Sequence, residues 1–359
     1  MSGIQGVVAV VGGQSSLFEY GAVGWTSSPY VSFFKKQGTA LTKLTDPASM
    51  PSAAIVGITW SRFGNFVGVL TAGSVVSVYS LSGDTVTQVW NADFSGLASD
   101  PDYGGDITHI AWSKERDNTG SDNWLSLFFP NGQFYYTTSK SASRTITIFN
   151  DYGGDIICAA FLLNYNNSDG AAVIARSVGA EYLFCVELSG IGASVLPGTI
   201  LTQPSVAPVW VASRNDGTAF AVLLNGVTNN LLVYTRSGAN WDIAHTLTVG
   251  GTPVRCGFSP DGLYLGVVYD TTPFYDVISF ASGSPVVTAA TDALSSAGTD
   301  ISMSRDGFTF LTGAGASQFF QLQTRNSTDN YVTLENLDFA GVTESAVTAV
   351  GLRNGSYLS

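Results

Sequence analysis

The chain has 359 residues and a formal net charge of −12, from 27 acidic and 15 basic side chains. This acidic balance argues against partners such as nucleic acid or an anionic membrane surface, because both need Lys and Arg to neutralise their phosphates. Charged residues make up only 12% of the chain and hydrophobic residues 45%, which excludes a disordered polyelectrolyte and provides the material for a large core.

The start of the chain, residues 1–8, lacks the basic region and the long apolar region of a secretory signal, so we expect synthesis in a host cytoplasm without export. No window of about 18 uninterrupted apolar residues occurs, and no membrane insertion is predicted. Cys158, Cys185 and Cys256 are odd in number and contain no C-x-x-C spacing. They therefore predict neither a disulfide framework nor a zinc site, and we expect them to be buried.

A short apolar strand, a polar turn and a second strand recur along the chain. The bulky residues that end the first strands, called anchors below, are Trp60, Trp112, Phe161, Ala212, Phe258, Met303 and Leu352. Turns such as Ser259-Pro260-Asp261-Gly262 follow them. Asp bonds to its own backbone and Gly supplies a positive φ, so each turn predicts an antiparallel hairpin.

Two further strands follow each hairpin. The predicted second strands include Phe66–Leu70, Tyr264–Tyr269 and Phe308–Thr312, the third strands Val75–Ser80, Leu231–Thr235 and Phe319–Thr324, and the fourth strands Thr85–Trp90 and Trp241–Leu247. Four short strands per repeat are typical of a propeller blade, and no helical spacing of apolar residues is found. The sequence therefore predicts an all-β fold, a seven-bladed β-propeller with four antiparallel strands per blade.

An exact duplication supports this repeat. The hexapeptide Asp-Tyr-Gly-Gly-Asp-Ile occurs at Asp102–Ile107 and again at Asp151–Ile156. Self-similarity at a period of roughly 40–50 residues is typical of propellers and other repeat folds. We predict one domain over residues 1–359, with blades at approximately 5–50, 53–100, 105–150, 154–203, 206–250, 252–296 and 299–340. Residues 345–359 then form a tail that pairs with the first blade and closes the ring, which leaves residues 1 to about 13 as an arm or an extra strand.

The duplicated hexapeptides are the candidate binding site. Each copy lies where a fourth strand leads into the next inner strand, which predicts one rim of the central channel for six side chains: Asp102, Tyr103, Asp106, Asp151, Tyr152 and Asp155. Clustered carboxylates suit calcium, but calcium prefers six to eight oxygen ligands. A repeated turn, in which Gly-Gly permits the reversal and Asp caps it, is the preferred interpretation. We therefore predict no cofactor or metal, with calcium as the alternative, and the two tyrosines suit contacts to a partner.

No catalytic constellation is recognised. His109 and His245 are the only histidines. His109 stands beside Ile110 and near Trp112, and we interpret it as a core residue, because a catalytic base needs an oriented nucleophile and a third group. No G-x-S-x-G, H-E-x-x-H or phosphate-binding glycine loop occurs. We therefore expect a protein that is not an enzyme.

The repeats resemble WD-repeat propellers, although no Gly-His dipeptide precedes a blade and the single Trp-Asp pair opens a fourth strand. Residues 26–47, which include Ser28-Pro29-Tyr30-Val31-Ser32-Phe33 and Leu41-Thr42-Lys43-Leu44, are similar to blades of WD-repeat-like seven-bladed proteins of tailed bacteriophages and prophages. A fainter likeness covers residues 257–265.

The resemblance implies a non-enzymatic structural or binding component of a phage virion, placed in the tail, at a fibre or as a capsid decoration. Its partners would be other virion structural proteins, with a host surface glycan or receptor as the alternative. Two other functions stay open: a cytoplasmic propeller scaffold and a carbohydrate-binding module. A glycosidase-like propeller enzyme is the least favoured interpretation.

Overall fold

A computed structural model of the chain describes residues 19–37, 40–61, 64–101, 103–112, 124–131, 134–138, 156–162, 170–177, 182–189, 192–195, 201–238, 240–272, 274–288, 294, 296–303, 309–314, 320–325, 331–336 and 347–352. Strands dominate these residues, and the one helix among them, α1, is the four-residue segment Ser95–Ala98. The prediction of an all-β fold is confirmed. No helix in the described part of the chain is long and apolar enough to cross a membrane.

The strands form seven antiparallel sheets, numbered here along the chain. Their bounds are β1 (Glu19–Trp25), β2 (Val31–Gln37) and β3 (Ala40–Lys43) in sheet 1; β4 (Ile55–Trp60), β5 (Phe66–Thr71), β6 (Val75–Ser82) and β7 (Thr85–Asp93) in sheet 2; β8 (His109–Trp112), β9 (Trp124–Phe128) and β10 (Phe134–Thr138) in sheet 3; β11 (Ile156–Leu162), β12 (Gly170–Arg176), β13 (Leu183–Ser189) and β14 (Gly192–Val195) in sheet 4; β15 (Pro208–Ser213), β16 (Ala219–Leu224), β17 (Leu231–Ser237) and β18 (Asn240–Leu247) in sheet 5; β19 (Pro253–Phe258), β20 (Tyr264–Tyr269), β21 (Tyr275–Ser279) and β22 (Val286–Thr288) in sheet 6; β23 (Gly298–Met303), β24 (Thr309–Ala314), β25 (Phe320–Arg325) and β26 (Tyr331–Asn336) in sheet 7; and β27 (Val347–Leu352), which completes sheet 1.

The sheets are arranged in a closed circle. In every sheet the strands lie side by side in one continuous order, and one edge strand of each sheet faces the edge strand of the next. These inner strands are β4, β8, β11, β15, β19, β23 and β27; each contacts the next, and β27 contacts β4. Sheets that radiate from a ring of inner strands around a central channel are the architecture of a β-propeller.

The two ends of the described chain meet in sheet 1. β27 pairs antiparallel with β1, with Val350 opposite Val23 and Leu352 opposite Gly21. The C-terminal segment thereby supplies the inner strand of the first sheet, which is where the sequence analysis expected it to pair. Residues 1–18, which include the predicted arm, lie outside the described residues.

The turn after the inner strand is built in the same way in sheets 2 and 6. The backbone N–H of Tyr264 donates to the hydroxyl of Ser259 over 3.0 Å, and the N–H of Phe66 donates to the hydroxyl of Ser61 over 3.1 Å. Both serines are buried, and Gly262 adopts a φ of 72° in its turn. A hydroxyl that accepts a backbone N–H satisfies a donor that would otherwise be buried without a partner, which explains the serine after these anchors.

A register irregularity recurs near the start of six inner strands. It lies between Ile55 and Gly57, Ile156 and Cys158, Pro208 and Trp210, Pro253 and Arg255, Gly298 and Asp300, and Val347 and Ala349. A bulge bends a strand and redirects the side chains that follow it. In five of these strands the residue after the bulge lies three positions before the last residue of the strand, and in β11 it lies four positions before it. Equivalent backbone positions of neighbouring sheets therefore come to one level of the ring.

We call this level the channel layer. It contains Gly57, His109, Cys158, Trp210, Arg255, Asp300 and Ala349, each three residues before Trp60, Trp112, Phe161, Ser213, Phe258, Met303 and Leu352 respectively. The equivalence corrects one anchor by a residue: Ser213 takes the place that the sequence analysis gave to Ala212. Instead of packing a bulky side chain, Ser213 donates its hydroxyl to the carbonyl of Phe161 over 2.7 Å.

Candidate functional site

The central channel contains a cavity of about 270 Å³ that is lined by inner strands from all seven sheets. Its wall includes His109, Trp210, Arg255 and Asp300 of the channel layer. Among the described residues that line it, Arg255 and Asp300 carry the formal charges. A concave site with a few convergent polar groups is where a binding or catalytic function is expected, so this cavity is the candidate functional site.

Arg255 occupies the middle of the polar group. Its guanidinium lies 3.4 Å from the carboxylate of Asp300 and 4.6 Å from the ring centroid of Trp210. The indole N–H of Trp210 donates to the carbonyl of Cys256 over 3.1 Å, which fixes the ring that the guanidinium covers. An arginine held between an aromatic face and a carboxylate is oriented while its remaining N–H groups can still meet a ligand.

Asp300 is anchored by the backbone. Its carboxylate accepts the N–H of Ile301 and the N–H of Val350, each over 2.9 Å. Burial raises the pKa of Asp300, while the charge of Arg255 and the two backbone N–H groups act in the opposite direction. The carboxylate therefore joins the ring-closing strand β27 to the arginine of the neighbouring sheet.

His109 completes the group. Its ring lies edge-on to Trp210 with 5.1 Å between centroids, and it donates a hydrogen bond to the carbonyl of Ala159. Burial is the largest cause that lowers the pKa of His109 to about 3, the charge of Arg255 adds to it, and the bond to Ala159 opposes it. At neutral pH the imidazole is therefore uncharged.

The interpretation of His109 as a core residue is wrong, because His109 lines the channel cavity, although its strand β8 pairs with β9 without a register irregularity. Sequence reasoning also missed Trp210, Arg255 and Asp300 as site residues. A signal for them exists in the sequence: each stands three residues before the end of its inner strand, as His109 does. That signal becomes visible only when the repeats are aligned in the structural register.

The cysteines are buried, as predicted. The backbone N–H of Val211 donates to the sulfur of Cys158 over 3.2 Å. Burial raises the pKa of Cys158 to about 12 and that of Cys185 to about 12, and it raises the pKa of Cys256 as well. A thiol that stays protonated at neutral pH is a poor nucleophile, so these cysteines act as small apolar side chains of the core.

The first copy of the duplicated hexapeptide forms a turn at the rim. Asp106 accepts the hydroxyl of Ser74 over 2.8 Å, and the same hydroxyl oxygen accepts the N–H of Ile107 over 2.9 Å. Tyr103 packs edge-on against Phe129 with 4.9 Å between ring centroids. These contacts tie the connection before β8 to the second sheet, which is the structural role of the preferred interpretation.

The other predicted rim residues, Asp102, Asp151, Tyr152 and Asp155, lie outside the described residues. Within the described ranges no group of three or more His, Cys, Asp or Glu side chains is placed to hold a metal ion. Calcium binding and partner contacts at this rim therefore stay predictions.

No family model and no curated protein sequence matches the chain. Solved structures do resemble it. The periplasmic gluconolactonase of Pseudomonas aeruginosa has a TM-score of 0.67 at 13% identity, and the match covers 94% of this chain and 99% of that chain. A candidate 6-phosphogluconolactonase from Bacteroides uniformis has a TM-score of 0.69 at 10% identity, with 93% and 99% covered. The β-propeller domain of Swd1 from Myceliophteria thermophila, a WD-repeat propeller, has a TM-score of 0.53 at 13% identity, with 81% and 88% covered.

At such low identities the similarity shows the fold alone, an all-β propeller with antiparallel strands. It corrects two expectations, that of a phage virion component and that of a protein without enzymatic activity, because the propellers that this chain follows over nearly its whole length include lactonases. None of the structures named above is a phage protein. The predicted partners and localisation stay predictions.

The structure also explains why the phage resemblance misled. Val31, Phe33 and Phe34, which belong to the stretch that carried it, are core residues with at most 1% of their surface exposed. Their pattern is that of a buried strand, β2, and such a pattern recurs wherever a propeller sheet packs on its neighbours. It therefore carries information about packing rather than about a virion.

Proposed function

We propose that this protein is a hydrolase that opens a small cyclic ester, a lactone, in the channel cavity. The observation that carries the proposal is the meeting of an uncharged imidazole, His109, with an oriented guanidinium, Arg255, in the wall of one cavity. The similarity to lactonase propellers supports the choice of substrate.

The two groups suit the chemistry of ester opening. Water must lose a proton as its oxygen attacks the carbonyl carbon, and negative charge then develops on the carbonyl oxygen before the ring C–O bond breaks. His109 can accept a hydrogen bond from the attacking water and orient it while the proton passes to solvent, and Arg255 has N–H donors to stabilise the oxyanion. The ring oxygen takes up a proton from solvent as the C–O bond breaks, so that the product is a hydroxy acid.

The experiment is lactone hydrolysis by the full chain. With D-glucono-1,5-lactone as substrate, acid release in a pH-stat should exceed the spontaneous rate. His109→Gln and Arg255→Met should each lower kcat/KM by about 100-fold. His245→Gln changes the other histidine, which lies on β18 at the outer edge of sheet 5, and should leave kcat/KM within twofold.

The proposal fails if the wild-type chain hydrolyses neither this lactone nor its 6-phosphorylated form faster than the spontaneous rate. It also fails if His245→Gln lowers the rate as much as His109→Gln does. Binding of a lactone without turnover would make the propeller a carbohydrate-binding module, which was an alternative from the sequence.

We infer further that the seven sheets are the seven blades of a single WD-repeat-like ring. The closed order of contacts among the seven inner strands supports this count. A closed ring matters for the function, because it holds the side chains of the channel layer at fixed separations across the cavity.

A further inference from the structure

The described residues that line the cavity carry very little positive charge. Among the described residues that line it, the cationic side chain is Arg255, and the neutral hydrogen-bonding side chains are more numerous and include Thr59, Thr108, Asn215 and Ser302. His109 is uncharged at neutral pH. The whole chain carries a net charge of −12, which repels anions at long range.

The single cation already has an anionic partner. The guanidinium of Arg255 is 3.4 Å from the carboxylate of Asp300, and the side chains are 23% and 12% exposed respectively. Two backbone N–H groups hold Asp300 in this position. The carboxylate is therefore the more deeply placed member of the pair, and it cannot leave Arg255 without breaking both backbone hydrogen bonds.

An anionic ligand that approached Arg255 would meet Asp300 at nearly the same distance. Its attraction to the guanidinium would be offset by repulsion from the carboxylate, and no second cation among the described lining residues would compensate. A hydroxyl or an ester carbonyl, in contrast, needs only a hydrogen bond from a guanidinium N–H, which the pair with Asp300 does not remove.

We propose that Asp300 is a specificity-determining residue that makes the channel select uncharged, hydroxylated cyclic esters and reject phosphorylated ones. This inference rests on the proposed lactonase function. It assigns Asp300 no part in bond breaking: the residue acts by cancelling the charge of Arg255 and by holding the guanidinium against Trp210.

The test compares a neutral and an anionic substrate of the same ring. The full chain is assayed with D-glucono-1,5-lactone and with its 6-phosphorylated form, and the ratio of kcat/KM for the two is measured. The wild-type chain should favour the uncharged lactone. Asp300→Asn should shift the ratio towards the phosphorylated lactone by about tenfold, because it removes one negative charge from the cavity.

Asp242→Asn is the matched control, because Asp242 lies exposed on the outer strand β18 and the substitution changes the net charge by the same amount. It should leave the ratio within twofold. If Asp300→Asn fails to fold by circular dichroism, Asp300→Ser, whose hydroxyl can still accept a backbone N–H, takes its place. A preference of the wild-type chain for the phosphorylated lactone would overturn the proposal, and so would an unchanged ratio in the Asp300 variant.

A binding assay separates this inference from the proposed function. Glucose and glucose 6-phosphate are titrated against the chain, with tryptophan fluorescence as the readout. If neither lactone is hydrolysed but glucose binds better than its phosphate and Asp300→Asn removes the difference, the lactonase function fails and the charge selectivity stands. If both lactones are hydrolysed and the phosphate form is preferred, the function stands and the selectivity fails.

Discussion

The uncharged state of His109 predicts a specific loss of stability in acid. In the folded chain its pKa is about 3, whereas 6.5 is the ordinary value that applies after unfolding. Because the folded value is the lower one, protons bind more tightly to the unfolded chain. The contribution of the uncharged His109 to the unfolding free energy is fully present above pH 6.5 and is lost as the pH falls from 6.5 towards 3.

The magnitude follows from the two pKa values. At pH 5 the unfolded chain carries the proton and the folded chain does not, so lowering the pH from about 7.5 to about 5 removes about 2 kcal/mol of unfolding free energy through His109 alone. Asp300, whose pKa is raised, acts in the opposite direction at lower pH, because its folded form binds a proton more readily. Asp300 contributes the same change in unfolding free energy to the wild type and to the histidine variants. This contribution therefore cancels when a variant is compared with the wild type.

The assay is urea denaturation at the two pH values, followed in parallel by tryptophan fluorescence and circular dichroism. His109→Gln, which keeps an N–H donor for Ala159, should lose about 2 kcal/mol less than the wild type between these pH values. His245→Gln should show the wild-type loss. Equal losses in the wild type and in His109→Gln would refute the assignment of an uncharged, enclosed imidazole to the channel layer.

Three further predictions concern stability and the rim. Gly21→Ala should lower the unfolding free energy by about 1–3 kcal/mol in urea denaturation, because a methyl group there would overlap the ring of Phe34. Gly96→Ala, where the added methyl group meets nothing within 4 Å, should have no such effect. Ser259→Ala should cost about 1–3 kcal/mol in the same assay, because a buried backbone N–H loses its acceptor. If the rim is a structural turn, the melting temperature should not rise with added calcium in the wild type or in Asp106→Asn; a rise in the wild type that Asp106→Asn abolishes would establish a metal site instead.

The strands and hairpins could be predicted because their signals are local. The turn Ser259-Pro260-Asp261-Gly262 is predicted from the chemistry of four consecutive residues, and the predicted strand Tyr264–Tyr269 has the same bounds in the structure. β7 extends from Thr85 to Asp93, three residues beyond its predicted end, because its pairing with β6 continues to Val75. Pairing with a neighbouring strand, rather than local composition, sets where such an edge strand ends.

The candidate site could not be predicted in the same way, because its members come from different repeats. Trp210, Arg255 and Asp300 are each about 45 residues apart in the sequence, and a bulge in each inner strand decides that their side chains reach the same level. A bulge is a property of two paired strands, so no single stretch of sequence reveals it. The apolar residues beside His109 led to its interpretation as a core residue. Only the arrangement of the strands in the structure shows that His109 lines the channel.

The bulge also explains why polar and charged side chains can occur at the level of the channel layer. In β4, Ile55 and Trp60 flank the layer position and are buried in the apolar cluster between sheets 1 and 2. The layer position is turned towards the channel in several of the repeats, so a polar or charged side chain there does not have to fit the packed interface between sheets. The seven repeats accordingly carry Gly, His, Cys, Trp, Arg, Asp and Ala at this one position. A propeller can thus change its chemistry by substitutions in a single layer while the packing that closes the ring is unchanged, which makes this layer the place to test function first.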